Sequence, residues 1–251
     1  MNIKRFFMML VTIGVLQPLV SNAEGFRGRI IKVEGDVKVL MSDGNSHKPE
    51  KLNNLVKASE TIITSVDSKA VVQFNDGSMA VLNERSSLLV EKSEWLSQLG
   101  GKIYFAFKKI FGKKPRKIKT SFVTLGIRGT SFIVDTNAGS ESVALQEGSL
   151  NVESPGDGFE VEKEKPVENE FDAYKQAQKG NAEEIGKEFA DYTSNMNKEF
   201  TEFVKEFTLE PDKMISFNGN KVSKTDITEN IRQEFSSLEE FAGDIVNEYK
   251  N

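Results

Sequence analysis

The 251-residue chain contains no cysteine and a single histidine, His47. Without cysteine there is no disulfide, no thiolate nucleophile and no sulfur-ligated zinc site. A Cys–His nucleophilic pair is excluded as well. A Ser–His–Asp triad would have to use His47, which follows the polar turn Asp43-Gly44, and no Gly-x-Ser-x-Gly elbow is present to carry its serine. Phosphate loops and dinucleotide fingerprints are missing too. Acidic residues are many, yet no carboxylate pair stands out from solvated faces. Together these absences predict a protein that is not an enzyme and holds neither metal nor organic cofactor.

Long apolar runs are also scarce. Phe6 to Val15 is apolar, but it falls short of the ~20 residues that span a bilayer. Lys4 and Arg5 precede it, Pro18 follows, and Ser21-Asn22-Ala23 supplies small residues for a cleavage site. Met1 to Ala23 therefore reads as a secretory signal peptide cleaved after Ala23, which predicts a periplasmic or secreted protein. Charge is uneven beyond it. Residues 24–155 carry 19 Lys+Arg against 15 Asp+Glu, whereas residues 156–251 carry 12 against 23. A basic half and a strongly acidic half suggest two structural units.

The first unit reads as short strands parted by turns. Arg29–Val33 alternates, Val37–Leu40 follows Gly35-Asp36, and Leu52–Lys57 connects to Glu60–Thr64. Val71–Phe74 and Met79–Leu82 flank Asn75-Asp76-Gly77-Ser78. An Asp-Gly step supplies the left-handed backbone of a tight hairpin. Leu88–Val90 and Gly101–Phe107 continue the pattern. Then Ile118–Ile127 and Ser131–Asp135 meet at Arg128-Gly129-Thr130, and a further hairpin turns at Glu147-Gly148-Ser149. Strands recurring about every ten residues, with no helical period between them, predict a sandwich, a barrel or a short solenoid rather than an α/β fold.

The ordered pair of Asp76-Gly77-Ser78 and Arg128-Gly129-Thr130, completed by Glu147-Gly148, resembles the core motif of the FecR family. The likeness covers roughly residues 28–153. It implies a β-rich domain of the bacterial envelope that works through protein interaction rather than catalysis. Well-known members add a cytoplasmic segment that controls a sigma factor; only a signal peptide precedes the domain here, so that role is not carried over. Arg128 lies in an apolar run, and a half-buried arginine paired with Asp76 or Glu147 is expected there, because a buried cation must be paired. Gly129 is expected at a bulge or a close approach of two strands.

Between Lys102 and Lys119 there are eight cations and no anion. Lys108, Lys109, Lys113, Lys114, Arg116 and Lys117 form a candidate binding patch. Two readings stand level: a solvated hairpin tip whose charge protects an edge, or a surface for an acidic protein, lipid headgroups or anionic glycan. Nucleic acid is not expected, because no nucleic-acid fold signature accompanies the charge.

Past Ser154-Pro155-Gly156, a charged stretch with Pro166 reads as a linker. Ile185, Phe189, Tyr192, Met196, Phe200, Phe203 and Phe207 then step at helical spacing. Asn218-Gly219 suggests a small hairpin. A second helix is expected to start near Thr225 or Asp226, with Glu229 closing a capping box, and to bury Ile227, Ile231, Phe235, Leu238, Ala242, Ile245 and Tyr249. The fold class expected is α+β: a mainly-β FecR-like domain, sandwich or short solenoid of antiparallel strands, followed by an α-helical hairpin. Its divisions are a signal peptide at 1–23, the β domain at 24–155, a linker at 156–170 and an acidic helical region at 171–251. The function expected is that of an exported, non-enzymatic signalling or scaffold module. Its partner would be an envelope protein or, alternatively, cell-wall or other anionic glycan, and the C-terminal helices could join two copies into a homo-oligomer.

Overall fold

Nineteen strands and one helix account for the regular structure in a computed structural model that describes residues 26–47, 54–93, 95–108, 116–137, 140–162 and 201–243. The strands form two sheets. Sheet one comprises β1 (Phe26–Glu34), β4 (Asn54–Lys57), β6 (Lys69–Phe74), β7 (Met79–Leu82), the second half of β9 (Leu96–Ala106), β12 (Ser131–Asn137), β13 (Ser140–Glu147), β15 (Phe159–Glu162), β16 (Thr201–Val204), β18 (Lys213–Asn218) and β19 (Lys221–Asp226). Their spatial order is β4-β1-β6-β7-β9-β12-β13-β18-β19-β15-β16. Sheet two comprises β2 (Val37–Leu40), β3 (Ser46–His47), β5 (Thr61–Thr64), β8 (Ser87–Val90), the first half of β9, β10 (Arg116–Lys119), β11 (Thr124–Ile127), β14 (Leu150–Glu153) and β17 (Glu206–Leu209). They run in the order β3-β2-β5-β8-β9-β10-β11-β14-β17.

Strand β9 joins the sheets. Its residues up to Gly100 pair with β8, and those from Gly101 onward pair with β12 and β7. Gly101 makes the crossing feasible. Its φ is +81°, and a Cβ there would stand 2.5 Å from the Arg85 carbonyl oxygen, so only glycine fits.

Alternation along each strand sends one set of side chains between the sheets and the other outward. Ala80, Leu82, Ile103, Phe105, Phe132, Val134, Val143 and Leu145 fill the interior with the apolar side chains of sheet two. Phe105 and Phe132 stack there with centroids 5.3 Å apart. The outward set (Val71, Met79, Val81, Tyr104, Ala106, Ile133, Ala144) is equally buried, because the helix α1 (Glu229–Ala242) lies across it. This explains why β7 is buried at all four residues instead of alternating. Ile227, Phe235, Leu238 and Ala242 supply the buried face of the cover.

The mainly-β architecture ending in a helix agrees with the sequence expectation, and the tail differs in detail. Phe203 and Phe207 lie in β16 and β17, not in a helix. Backbone pairing with β15 and β14 outweighs their helical spacing. Residues 163–200, and with them the rest of that expected helix, lie outside the described residues. Rather than a linker throughout 156–170, the chain forms β15 at Phe159–Glu162. The region expected as acidic and helical thus contributes four strands before its helix. The Asn-Gly hairpin is present as β18 and β19. α1 begins after the expected point: Thr225 and Asp226 still belong to β19, and Thr228 is the N-cap, its hydroxyl accepting from the Ile231 N–H at 3.4 Å. No capping box forms, since Glu229 is the first helical residue.

Ionic contacts pin the cover down. Lys102 Nζ lies 2.6 Å from Glu234 of α1 and 3.2 Å from Asp135 of β12. Burial works against its charge, but the Glu234 and Asp135 contacts outweigh burial and hold its pKa above the ordinary lysine value. Near the C-terminal end of α1, Lys32 Nζ donates to the Phe241 carbonyl oxygen at 2.8 Å and stands 4.5 Å from that residue's ring centroid.

Candidate functional site

The two glycine motifs meet. Gly148 has a φ of +92°, and a Cβ on it would run into the Gly129 carbonyl oxygen and stand 2.6 Å from Thr130 Cγ2. The register shifts next door, between Ser131 and Phe132. Gly129 and Gly148 thus allow the β11–β12 and β13–β14 corners to touch, while Thr130 is buried beneath them. Glu147 beside them is exposed.

Arg128 departs from expectation. It is exposed and has no ionic or hydrogen-bonding side-chain partner among the described residues. The corner turns its side chain outward, so burial never demands a counter-ion. Arg128→Ala is expected to change stability by less than about 0.5 kcal/mol, as for an ordinary surface site. A thermal melt showing a loss several times larger would contradict this exposure.

Asp76 pairs elsewhere, with Arg116. In the β6–β7 turn, Asp76 Oδ1 accepts from the Ser78 N–H at 3.1 Å and from the Ser78 hydroxyl at 2.5 Å. Its Oδ2 lies 2.6 Å from Arg116 Nε, and the Asp76 side chain is only 9% exposed. Gly77 provides the left-handed residue of the turn, with φ +83°. The Asp-Gly-Ser triplet therefore clamps the carboxylate that fixes the first residue of β10.

That ion pair borders a cavity of about 230 Å³ lined by Arg27, Asn75, Asp76, Glu91, Trp95 and Arg116. Its apolar wall is Phe74, Val90 and Leu96, all at most 4% exposed. Glu91 Oε1 accepts from the Ser97 hydroxyl at 2.8 Å. Lys119 and Lys117 stand over the Trp95 ring, with Nζ at 4.4 Å and 5.4 Å from its centroid. Lys117 also bonds Glu153 at 2.8 Å.

The candidate basic patch is thus divided. Arg116 and Lys117 are already in ion pairs, and Lys108 is exposed close to the Gly77 turn. Lys109, Lys113 and Lys114 lie outside the described residues. Sequence reasoning missed Arg27, Glu91 and Trp95. The signal available for Trp95 was its rarity: it is the only tryptophan, and it stands between charged residues and a strand.

Among the described residues, no cluster of three or more His, Asp or Glu side chains could hold a metal ion. His47 meets Asn54 Nδ2 at 3.4 Å, a contact between polar side chains of neighbouring segments. No helix among the described residues is long and apolar enough to cross a membrane.

Fold and site together define a two-sheet β module with a small polar cavity beside a basic strand. Residues 60–151, from just before β5 to within β14, match the family described as FecR protein. No curated protein matches the chain. Solved structures similar to it include a crystal structure at 1.65 Å described as a candidate anti-sigma factor from Parabacteroides distasonis, with 14% identity, a TM-score of 0.46, and coverage of 70% of this chain and 64% of that one. A second crystal structure of a protein with the same description, at 2.50 Å, gives 14% identity, a TM-score of 0.45 and coverages of 70% and 63%. The chain spans a little under two thirds of the length of both. A third, described as a cell surface anchoring domain, is 24% identical, has a TM-score of 0.26, and covers 28% of this chain and 91% of its own.

Proposed function

We propose that this chain is an exported, non-enzymatic signalling or scaffold module of the bacterial cell envelope that acts by binding another envelope protein. The observation that carries this reading is the pole of the sandwich where β6–β7, β8, β9 and β10 converge on the Asp76–Arg116 pair. Its polar groups are held by one another and by an apolar wall, an arrangement suited to recognition. The FecR domain match supports the same class. Export rests on the signal read in residues 1–23.

Crosslinking of the tagged mature chain in its own envelope fraction tests this reading. A specific protein partner should be captured by the native chain and lost when Lys108 and Lys117 are neutralised. Capture of the same partner by both chains would remove this pole from the interface, and capture of none would sink the reading. Cell-wall or anionic-glycan binding is a second reading, favoured by the lysines gathered over Trp95. It predicts salt-sensitive retention on sacculi, since exposed charge contacts are screened by salt.

A further inference from the structure

We propose that the cavity lined by Arg27, Asn75, Asp76, Glu91, Trp95 and Arg116 is a saccharide subsite that takes one uncharged sugar ring. The site adjoins the lysines over Trp95 but is lined by none of them, and it does not depend on a protein partner.

Size limits the ligand first. At about 230 Å³ the cavity lies below the roughly 300–1,000 Å³ usual for cofactor-sized ligands, so it holds a single ring or side chain. Charge limits it next. Arg27 and Arg116 are offset by Asp76 and Glu91, so the lining is formally balanced. An anionic group would gain from the guanidinium groups and lose to the carboxylates. A hydroxyl, which both donates and accepts, suits such a mixed lining.

The groups are also pre-positioned. Asp76 holds Arg116 at Nε, at 2.6 Å, and no hydrogen bond from the Arg116 Nη atoms is made among the described residues. Ser97 fixes Glu91 through Oε1, while Oε2 has no partner among the described residues. The Trp95 Nε1–H is likewise unpartnered there. Arg116, Glu91 and Trp95, the first two held by Asp76 and Ser97, therefore line one small volume. Neighbouring hydroxyls of a sugar ring match that set. Trp95, Phe74, Val90 and Leu96 offer apolar surface to the ring's C–H atoms. Bound ring hydroxyls would pair with these half-buried polar groups, which an apolar side chain would leave unpaired.

Trp95 is the only tryptophan, so the intrinsic fluorescence of the intact mature chain reads this cavity directly. The probes are neutral trisaccharides built from glucose, mannose and N-acetylglucosamine, with triglutamate as the acidic control. A saturable response to at least one trisaccharide is expected, unchanged by added salt. Arg116→Lys keeps the ion pair with Asp76 and removes the planar fork. Glu91→Gln keeps the Ser97 contact and replaces the free acceptor by a donor. Each variant should weaken binding about tenfold or more, with little change in melting temperature. Saturation-transfer NMR on the sugar protons accompanies the titration and detects a ring that leaves the indole unperturbed. Silence in both measurements, a response to triglutamate alone, or unchanged affinity in both variants would overturn the proposal. None of those results bears on whether the chain captures a protein partner.

Discussion

Phe235→Ala is expected to cost about 3–5 kcal/mol of unfolding free energy, the range for deleting a buried aromatic side chain. Phe235 is 1% exposed and meets Tyr104 edge-on, with centroids 6.0 Å apart and planes at 85°. It is the largest fully buried side chain of α1, placed over the outward row of β6, β7, β9 and β12. Truncation leaves a cavity between helix and sheet that rigid strands cannot close. A second effect should follow. A loosened α1 uncovers Met79, Val81, Tyr104 and Ile133, an apolar stripe that invites self-association. Urea unfolding measures the first effect and light scattering the second. Phe203→Ala serves as control: that ring is 66% exposed and should cost less than about 1 kcal/mol. If the two variants lose equal stability, α1 is not a fixed cover.

Glu141 makes stability fall as pH rises. Its carboxyl is 2% exposed, between the sheets at the end of β13. Burial raises its pKa to about 7 from an ordinary 4.5, against the opposing pull of the Thr120 hydroxyl and the Phe122 N–H. The Thr120 hydroxyl donates to Oε1 at 2.5 Å, while Oε2 is buried without a hydrogen-bond partner among the described residues. The folded chain therefore keeps this proton at pH values where the unfolded chain has released it. The contribution is fully present below about 4.5, declines as pH rises and is gone above about 7. Across that window the loss is roughly 3 kcal/mol. Other groups titrate as well, so the difference between the native chain and Glu141→Gln isolates this one. That difference should shift in favour of the variant between pH 5 and pH 8, on the order of that same loss. Parallel pH profiles would show that Glu141 is not the source.

Hairpins and helix faces were legible because their causes are local. Asp76-Gly77 and Asn218-Gly219 demand left-handed backbone within two residues, and both turns are found where the chain displays them. Ile227, Ile231, Phe235, Leu238 and Ala242 recur at helical spacing and do face one surface. Strand spacing disclosed a mainly-β domain, and the ordered glycine motifs disclosed the family whose description matches residues 60–151. Boundaries were less certain. Leu52–Lys57 reads as a connection yet ends in β4, and β9 starts five residues before the expected strand at Gly101.

Only tertiary structure decided what each surface meets. Phe203 and Phe207 fit a helical stripe equally well, and the strands waiting at the ends of both sheets drew them into β structure. The α1 face of Phe235, Leu238 and Ala242 is covered by sheet one, a choice set by the distant residues Val71 and Tyr104. Arg128 looked buried because its neighbours are apolar, but a strand corner, not composition, sets its direction. The cavity gathers residues 27, 76, 91, 95 and 116 from four separate segments. Period and turn chemistry act over a few residues, so the sequence alone determined the hairpin turns and the apolar face of α1. Pairing, burial and charge partnership depend on which elements end side by side, and that is fixed only when the two sheets close on each other.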